Sequence, residues 1–316
     1  MKSFVSSLFA FSLLMAMSGC PAETKPAGGD AAAAGYGNDS VKIDGSSTVY
    51  PISQIMAEEL KNKKNLVAEV GLSGTGGGFD KFVRGDIDIS DASRPIKEGE
   101  AEKAKAANIE YLELKVAIDG LSVVVNKENT WVDCMSVEDL KKIWEPGSTI
   151  TKWNQINPEW PDAEIKLYGP DSKSGTYDYF AEAIVEGKKL RDNYTPAVND
   201  NQLVQGITGD KNALGFFGFA YYVENTEKLK ALGIKKGAEG ECVAPTKETI
   251  LGGTYKPLSR PLYIYVNKAA LKRPIVKDYV SFYMNEGQAL VPEVGYVQLP
   301  EADLKVAQDA LKAALE

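Results

Sequence analysis

The chain is 316 residues long, 44% hydrophobic and 25% charged, which excludes disordered and collagen-like classes and leaves room for two hydrophobic cores rather than one. Its formal net charge of −8 argues against nucleic acid as a partner, because such binding rests on Lys and Arg neutralising phosphates. With no histidine in the sequence, a Ser-His-Asp hydrolase, phosphohistidine chemistry and histidine-ligated zinc are all ruled out.

The first residues read as an export signal over 1–20: Lys2, a mostly apolar run from Leu8 to Met17, then Ser18-Gly19-Cys20. The run is too short to span a bilayer. Small residues directly before a Cys resemble the bacterial lipoprotein cleavage box, so Cys20 is the expected lipidation site, with a plain secretory signal as the alternative. Residues 21–40, rich in Pro, Ala and Gly and without periodicity, predict a tether with an r.m.s. reach of roughly 25 Å. The expected location is the periplasm or the outer face of the membrane, with lipid chains at Cys20 as the anchor. In that oxidising compartment Cys134 and Cys242 are expected as a disulfide; spacing alone leaves two separate buried thiols open.

Through the body, strands and helices alternate. Residues 41–44 predict a strand, and Pro51 opens an amphipathic helix through Ile52, Ile55, Met56 and Leu60. Strands at 66–72 and 87–90 alternate with helices beginning at 79–83 and 97–107. Further on, 137–144 and 177–185 predict helices, and 165–168 and 213–219 strands. The aromatics of 213–219 read as core, and 302–315 as an amphipathic C-terminal helix. The pattern predicts an α/β fold of mostly parallel sheets flanked by helices, with ligands at the carboxyl ends of strands. A near-repeat, Leu121 to Lys127 and Leu262 to Lys268, both ending in Val-Asn-Lys, predicts two strands crossing between lobes. Lobe one is then 41–118 plus 266–316 and lobe two 119–265.

Three polar, glycine-rich stretches fall where a strand hands over to a helix: Gly45-Ser46-Ser47-Thr48, Ser73-Gly74-Thr75-Gly76-Gly77-Gly78 and Ser172-Lys173-Ser174-Gly175-Thr176. A helix start leaves backbone N–H groups unpaired and carries about half a positive charge, so several such ends can hold an oxyanion without metal. Ser and Thr hydroxyls add donors. Ser93 and Arg94, within Asp91-Ala92-Ser93-Arg94-Pro95, offer a hydroxyl and a guanidinium fork. The combination predicts a phosphate-class site. No Gly-x-Ser-x-Gly elbow, Ser-x-x-Lys pair, P-loop or dinucleotide fingerprint is present.

The ordered set 44–52, 74–79, 91–96 and 168–176 resembles the phosphate-binding proteins of bacterial phosphate ABC transporters, over essentially all of 41–300. The resemblance implies a two-lobed periplasmic-binding-protein fold of type II, hinged on two crossing strands. It also implies binding of inorganic phosphate as a monomer, delivery to a membrane permease, and no catalysis, cofactor or metal. Carried over by motif, Ser47, Thr48 and the Val49 amide, Thr75 and the Gly76 amide, Ser93, Arg94, Ser174, Gly175 and Thr176 are the expected ligand set. Two departures stand out. Where the best-known members carry an Arg ahead of the Ser-Gly-Thr loop this chain has Pro170, so Arg94 is expected to supply the charge. The Asp that accepts the phosphate proton aligns as Asp91 with a gap and as Ser93 without one; Asp171 is a second candidate, or else orients Arg94. The alternatives are a receptor for sulfate, molybdate or tungstate, an exported phosphatase using Ser47 or Ser174, and a scaffold that keeps only the fold.

Overall fold

The computed structural model describes residues 35–237 and 239–316. The export signal, Cys20 and the tether up to residue 34 lie outside them. Residues 36–40, expected as the end of the tether, are fastened to the body. The Tyr36 hydroxyl donates to Asp278 at 2.6 Å, and the Arg273 guanidinium binds Asp39 and the Ser40 carbonyl.

In chain order the elements are β1 (Val41–Gly45), α1 (Tyr50–Lys64), β2 (Ala68–Val70), α2 (Gly74–Phe82), β3 (Ile89–Ala92), α3 (Glu98–Ala106) and the long β4 (Tyr111–Asn126). Next come β5 (Cys134–Ser136), α4 (Val137–Trp144), β6 (Lys166–Pro170), α5 (Gly175–Val185), β7 (Thr195–Ala197), α6 (Asp200–Thr208), β8 (Ala213–Gly218) and α7 (Phe219–Val223). The chain closes with β9 (Leu229–Ala231), β10 (Gly233–Lys235), α8 (Lys247–Leu251), β11 (Ser259–Asn267), α9 (Pro274–Met284) and α10 (Glu301–Leu315).

One sheet runs β2-β1-β3-β11-β4-β8-β6-β7, with β9 also on β4. Its two ends are parallel, β2-β1-β3 and β8-β6-β7, and its middle is antiparallel around β11 and β4. β4 changes neighbours midway: residues 111–120 pair with β11, and 121–125 pair with β8. The same strand feeds two cores. Leu114, Val116 and Ala117 join Ile43, Ile52, Met56, Ile264, Tyr279 and Tyr283 in the first. Leu121, Val123 and Val125 join Trp144, Phe180, Phe216, Tyr255 and Leu258 in the second.

The sequence reading took only the second half of that strand, because Glu113, Lys115 and Asp119 interrupt the apolar run. Each of these charges is met across the fold: Glu113 by the Tyr265 hydroxyl at 2.8 Å, Lys115 by Asp303 at 2.9 Å, and Asp119 by Arg260. The aromatics of β8 are core, with Phe216 and Phe217 fully buried and Phe216 stacked on Phe180 at 3.7 Å. Cys134 and Cys242 form a disulfide, Cα atoms 6.2 Å apart, beside the small parallel pair β5 and β10.

α2 begins five residues earlier than its apolar periodicity suggested, at Gly74 rather than Phe79. A Cβ at Gly78 would sit 2.6 Å from the Gly45 Cα and 2.9 Å from the Asp44 carbonyl oxygen, so only glycine lets this helix start lie against the end of β1.

Candidate functional site

The turns after β1 and β3, the start of α2, the first turns of α5 and Arg260 of β11 meet at a cavity of about 180 Å³. It is lined by Ser46, Ser47, Thr48, Gly74, Thr75, Ser93, Arg94, Asp178, Glu182 and Arg260. The turn after β1 is locked by its own side chain, since the Ser46 hydroxyl accepts from the Thr48 amide at 3.2 Å. Thr75 and Ser93 are tied together: their hydroxyls are 3.1 Å apart, and the Ser93 amide donates to Thr75 Oγ1 at 3.2 Å. Polar side chains from the turn after β1, the start of α2 and the end of β3, fixed by these bonds, are a preorganised donor set.

α5 closes this arrangement from the other side. Its N-cap Ser174 accepts from the Thr176 amide at 3.1 Å. A Cβ at Gly175 would fall 2.6 Å from the Thr48 Cα and 2.7 Å from the Ser47 carbonyl oxygen. Glycine is therefore what allows the helix start to seat on the β1 turn, where the Thr48 hydroxyl donates to the Gly175 carbonyl at 3.3 Å. Gly175 touches this turn, and none of Ser174, Gly175 and Thr176 is among the residues that line the cavity. One turn on, the Ser47 hydroxyl donates to Asp178 at 2.6 Å, and Glu182 follows at the same helical spacing.

Two guanidinium groups reach the cavity. Arg94 grips Glu100 with two bonds of 2.7 and 2.8 Å, and that carboxylate holds its pKa above the ordinary value. Arg260, which the sequence reading did not select, donates to Glu182 at 2.9 Å and to the Thr48 hydroxyl at 3.1 Å. Its Nε lies 3.5 Å from Asp119, and its plane stacks on the Tyr179 ring at 3.6 Å. Burial pushes Asp119 up to about 6, against the opposing pull of Arg260. Two arginines thus line the cavity where Arg94 alone was expected, and the second is supplied by β11.

The two aspartates singled out as proton acceptors lie elsewhere. Asp91 is fully buried behind the cavity, accepting from Ser53 at 3.0 Å, and burial raises it to about 8 with the Asp44 charge adding to the shift. Asp171 accepts from the Lys173 amide at 2.7 Å, a local turn bond, and makes no contact with Arg94, whose carboxylate partner is Glu100. The carboxylate that faces the cavity without a cation of its own is Asp178. The Val49 side chain is buried in the first core and Gly76 is exposed, and neither residue is among those that line the cavity, so any part they take falls to their backbone amides. The signal for Asp178 and Glu182 was present as a stripe at 174, 178 and 182. Arg260 had no local signal, because only the pairing of β11 with β4 brings it in. Among the described residues no cluster of metal-ligating side chains occurs, and no helix is long and apolar enough to cross a membrane.

Comparison with known proteins agrees with this architecture. The sequence pattern of the PBP superfamily domain matches residues 28–286. The chain is 47% identical over 263 residues to protein SphX of Synechococcus elongatus, covering 82% of this chain and 77% of that one. It is 40% identical over 286 residues to the phosphate-binding protein PstS of Staphylococcus saprophyticus, covering 90% and 88%. Its fold superposes with a TM-score of 0.84 on the crystal structure of a possible phosphate binding protein from Planctomyces limnophilus, at 48% identity, covering 88% of this chain and 99% of that one. With this fold, these strand-end turns and this extent of identity, the chain belongs to the PBP superfamily of two-lobed binding proteins and, within it, to the family of PstS and SphX.

Proposed function

We propose that the chain binds inorganic phosphate in the cavity between β1, β3, α5 and β11, outside the cytoplasm, and hands it to the membrane permease of an ABC importer. The observation that carries this reading is the convergence of five hydroxyl-bearing residues, Ser46, Ser47, Thr48, Thr75 and Ser93, and two arginines on one small cavity. The name of the staphylococcal relative, a phosphate-binding protein, supports it. First-turn amides of α1 and α2, with those of Val49 and Gly76 among the candidates, add donors at positive helix ends.

Both arginines already face carboxylates, Glu100 on one side and Asp119 and Glu182 on the other. The cavity therefore selects by hydrogen bonding rather than by excess positive charge. Asp178 takes the acceptor role in this reading: phosphate keeps a proton at neutral pH and can donate it, whereas sulfate cannot. An unpaired carboxylate facing an oxyanion costs about 1–3 kcal/mol before repulsion is counted. Ser47 is engaged by Asp178 and Ser174 caps α5, and in this reading the site binds and releases phosphate without covalent chemistry.

The lobes are read as 41–118 with 266–316, and 119–265, except that Leu262 and Ile264 of β11 pack in the first core and so go with lobe one; the lobes join where β4 changes neighbours, and rotation there opens the cavity. The protein acts as a monomer held by lipid at Cys20. Two measurements test this. Calorimetric titration of ligand-stripped protein with phosphate is expected to give saturable one-to-one binding, weakened about 10- to 100-fold in Thr48→Val; absence of saturable heat contradicts the reading. Cys20→Ser is expected to release the chain from the membrane fraction, and unchanged retention would contradict the anchor.

A further inference from the structure

Next to the anion cavity lies a larger hollow of about 600 Å³. Ser93, Arg94, Glu182 and Arg260 line both spaces, so the two meet across those four residues. The remaining wall of the hollow is mixed, with Glu138, Lys236, Lys256 and Ser259 on its polar part. Pro95, Val137, Tyr179, Ala183, Pro257 and Pro261 give it an apolar floor. Tyr179 contributes its ring rather than its hydroxyl, which donates to the Pro257 carbonyl at 2.8 Å, and the ring is clamped beneath Arg260 at 3.6 Å. Three prolines and a clamped aromatic ring make a preformed surface with little entropy left to lose on binding. Inorganic phosphate, which has no apolar part, makes no use of such a surface.

We propose that cavity and hollow together form a site for a phosphorus oxyanion carrying one organic substituent, a phosphonate or a phosphate monoester. The three oxygens that remain on phosphorus meet the hydroxyls of Ser47, Thr75 and Ser93 and the two arginines. The substituent passes between Arg94 and Arg260 and lies on Tyr179, Ala183 and Pro257, where its apolar surface leaves water. A phosphonate or monoester in its monoanionic form keeps the P–OH that Asp178 accepts, so the acceptor that rejects sulfate does not reject these ligands. The proposal rests on reading the cavity as a phosphate site and adds a second ligand class to it. No bond is made or broken on the ligand.

The test is displacement calorimetry on ligand-stripped protein with phosphate, methylphosphonate, phenylphosphonate and phenyl phosphate. Phenylphosphonate is expected to bind one-to-one, to be displaced by phosphate, and to bind more tightly than methylphosphonate, whose methyl group reaches less of the apolar floor. Ala183→Trp on α5 and Val137→Phe on α4 each fill the hollow. Each is expected to weaken phenylphosphonate by about tenfold or more while phosphate stays within about twofold. Phenyl phosphate separates the two sources: if only one of the phenyl ligands binds, the proposal stands for that linkage alone. Phosphate binding with neither phenyl ligand displacing it overturns this proposal and leaves the phosphate site intact. Binding of phenylphosphonate that neither filling variant weakens also overturns it, and failure of phosphate itself to bind removes both readings.

Discussion

A guanidinium held on four sides does not swing to meet its ligand. Arg260 has Asp119, Glu182 and Thr48 around its edge and Tyr179 under its face, so its donors are oriented before any anion arrives. The turns around Ser47, Thr75 and Ser174 were legible in the sequence because their chemistry is local: Gly, Ser and Thr at a strand-to-helix junction serve the backbone whatever the rest of the chain does. Arg260 was not, since only the pairing of β11 with β4 brings it in; Asp178 lay on a readable stripe, but its partner Ser47 is far away in sequence. Asp91 shows the opposite error. It sat in the right motif, yet β3 turns its side chain inward to Ser53, among Tyr279 and Tyr283. Unfolded, this carboxyl ionises in the ordinary range; folded, it keeps its proton up to about 8, chiefly through burial. The stability tied to that proton is complete in acid and is lost as pH rises toward 8, by up to about 1.4 kcal/mol per pH unit. Urea melts of Asp91→Asn are expected to lose less stability between pH 5 and 8 than those of the parent, and parallel curves would contradict the assignment.

Elements rather than single side chains decide whether the cavity closes. α5 can seat on the β1 turn only because Gly175 has no side chain, the nearest backbone atoms lying 2.6 to 2.7 Å from where a Cβ would stand. Overpacking of that kind typically costs about 1–3 kcal/mol, which falls here on the closed state, so Gly175→Ala is expected to weaken phosphate by about 10- to 100-fold with the melting temperature nearly unchanged. Equal affinity in titration would show that α5 need not seat. Helices α1, α4, α5 and α10 were readable from apolar spacing and from Pro at a helix start. The first half of β4 was hidden because Glu113, Lys115 and Asp119 broke its alternation, and nothing local announces that Tyr265, Asp303 and Arg260 meet them.

For the molecule as a whole, a net charge of −8 and an anionic ligand are compatible at the proposed site, where hydroxyls, amides and two neutralised arginines are the donors, while the total charge governs solubility and long-range steering. The alternation of strands and helices announced the α/β class, and the ordered motifs announced the family. The antiparallel centre of the sheet, where β4 passes from one core to the other, came only with the structure, because strand order depends on pairings between distant segments. The central claim is that a hydrogen-bonding cavity tells phosphate from sulfate through Asp178. Its most direct test is titration of ligand-stripped parent and Asp178→Asn protein with phosphate and with sulfate between pH 5 and 9. The account predicts tight phosphate binding with sulfate silent in the parent, and in the variant weaker phosphate with measurable sulfate. Equal binding of the two anions by the parent, or a variant that still excludes sulfate, would contradict it.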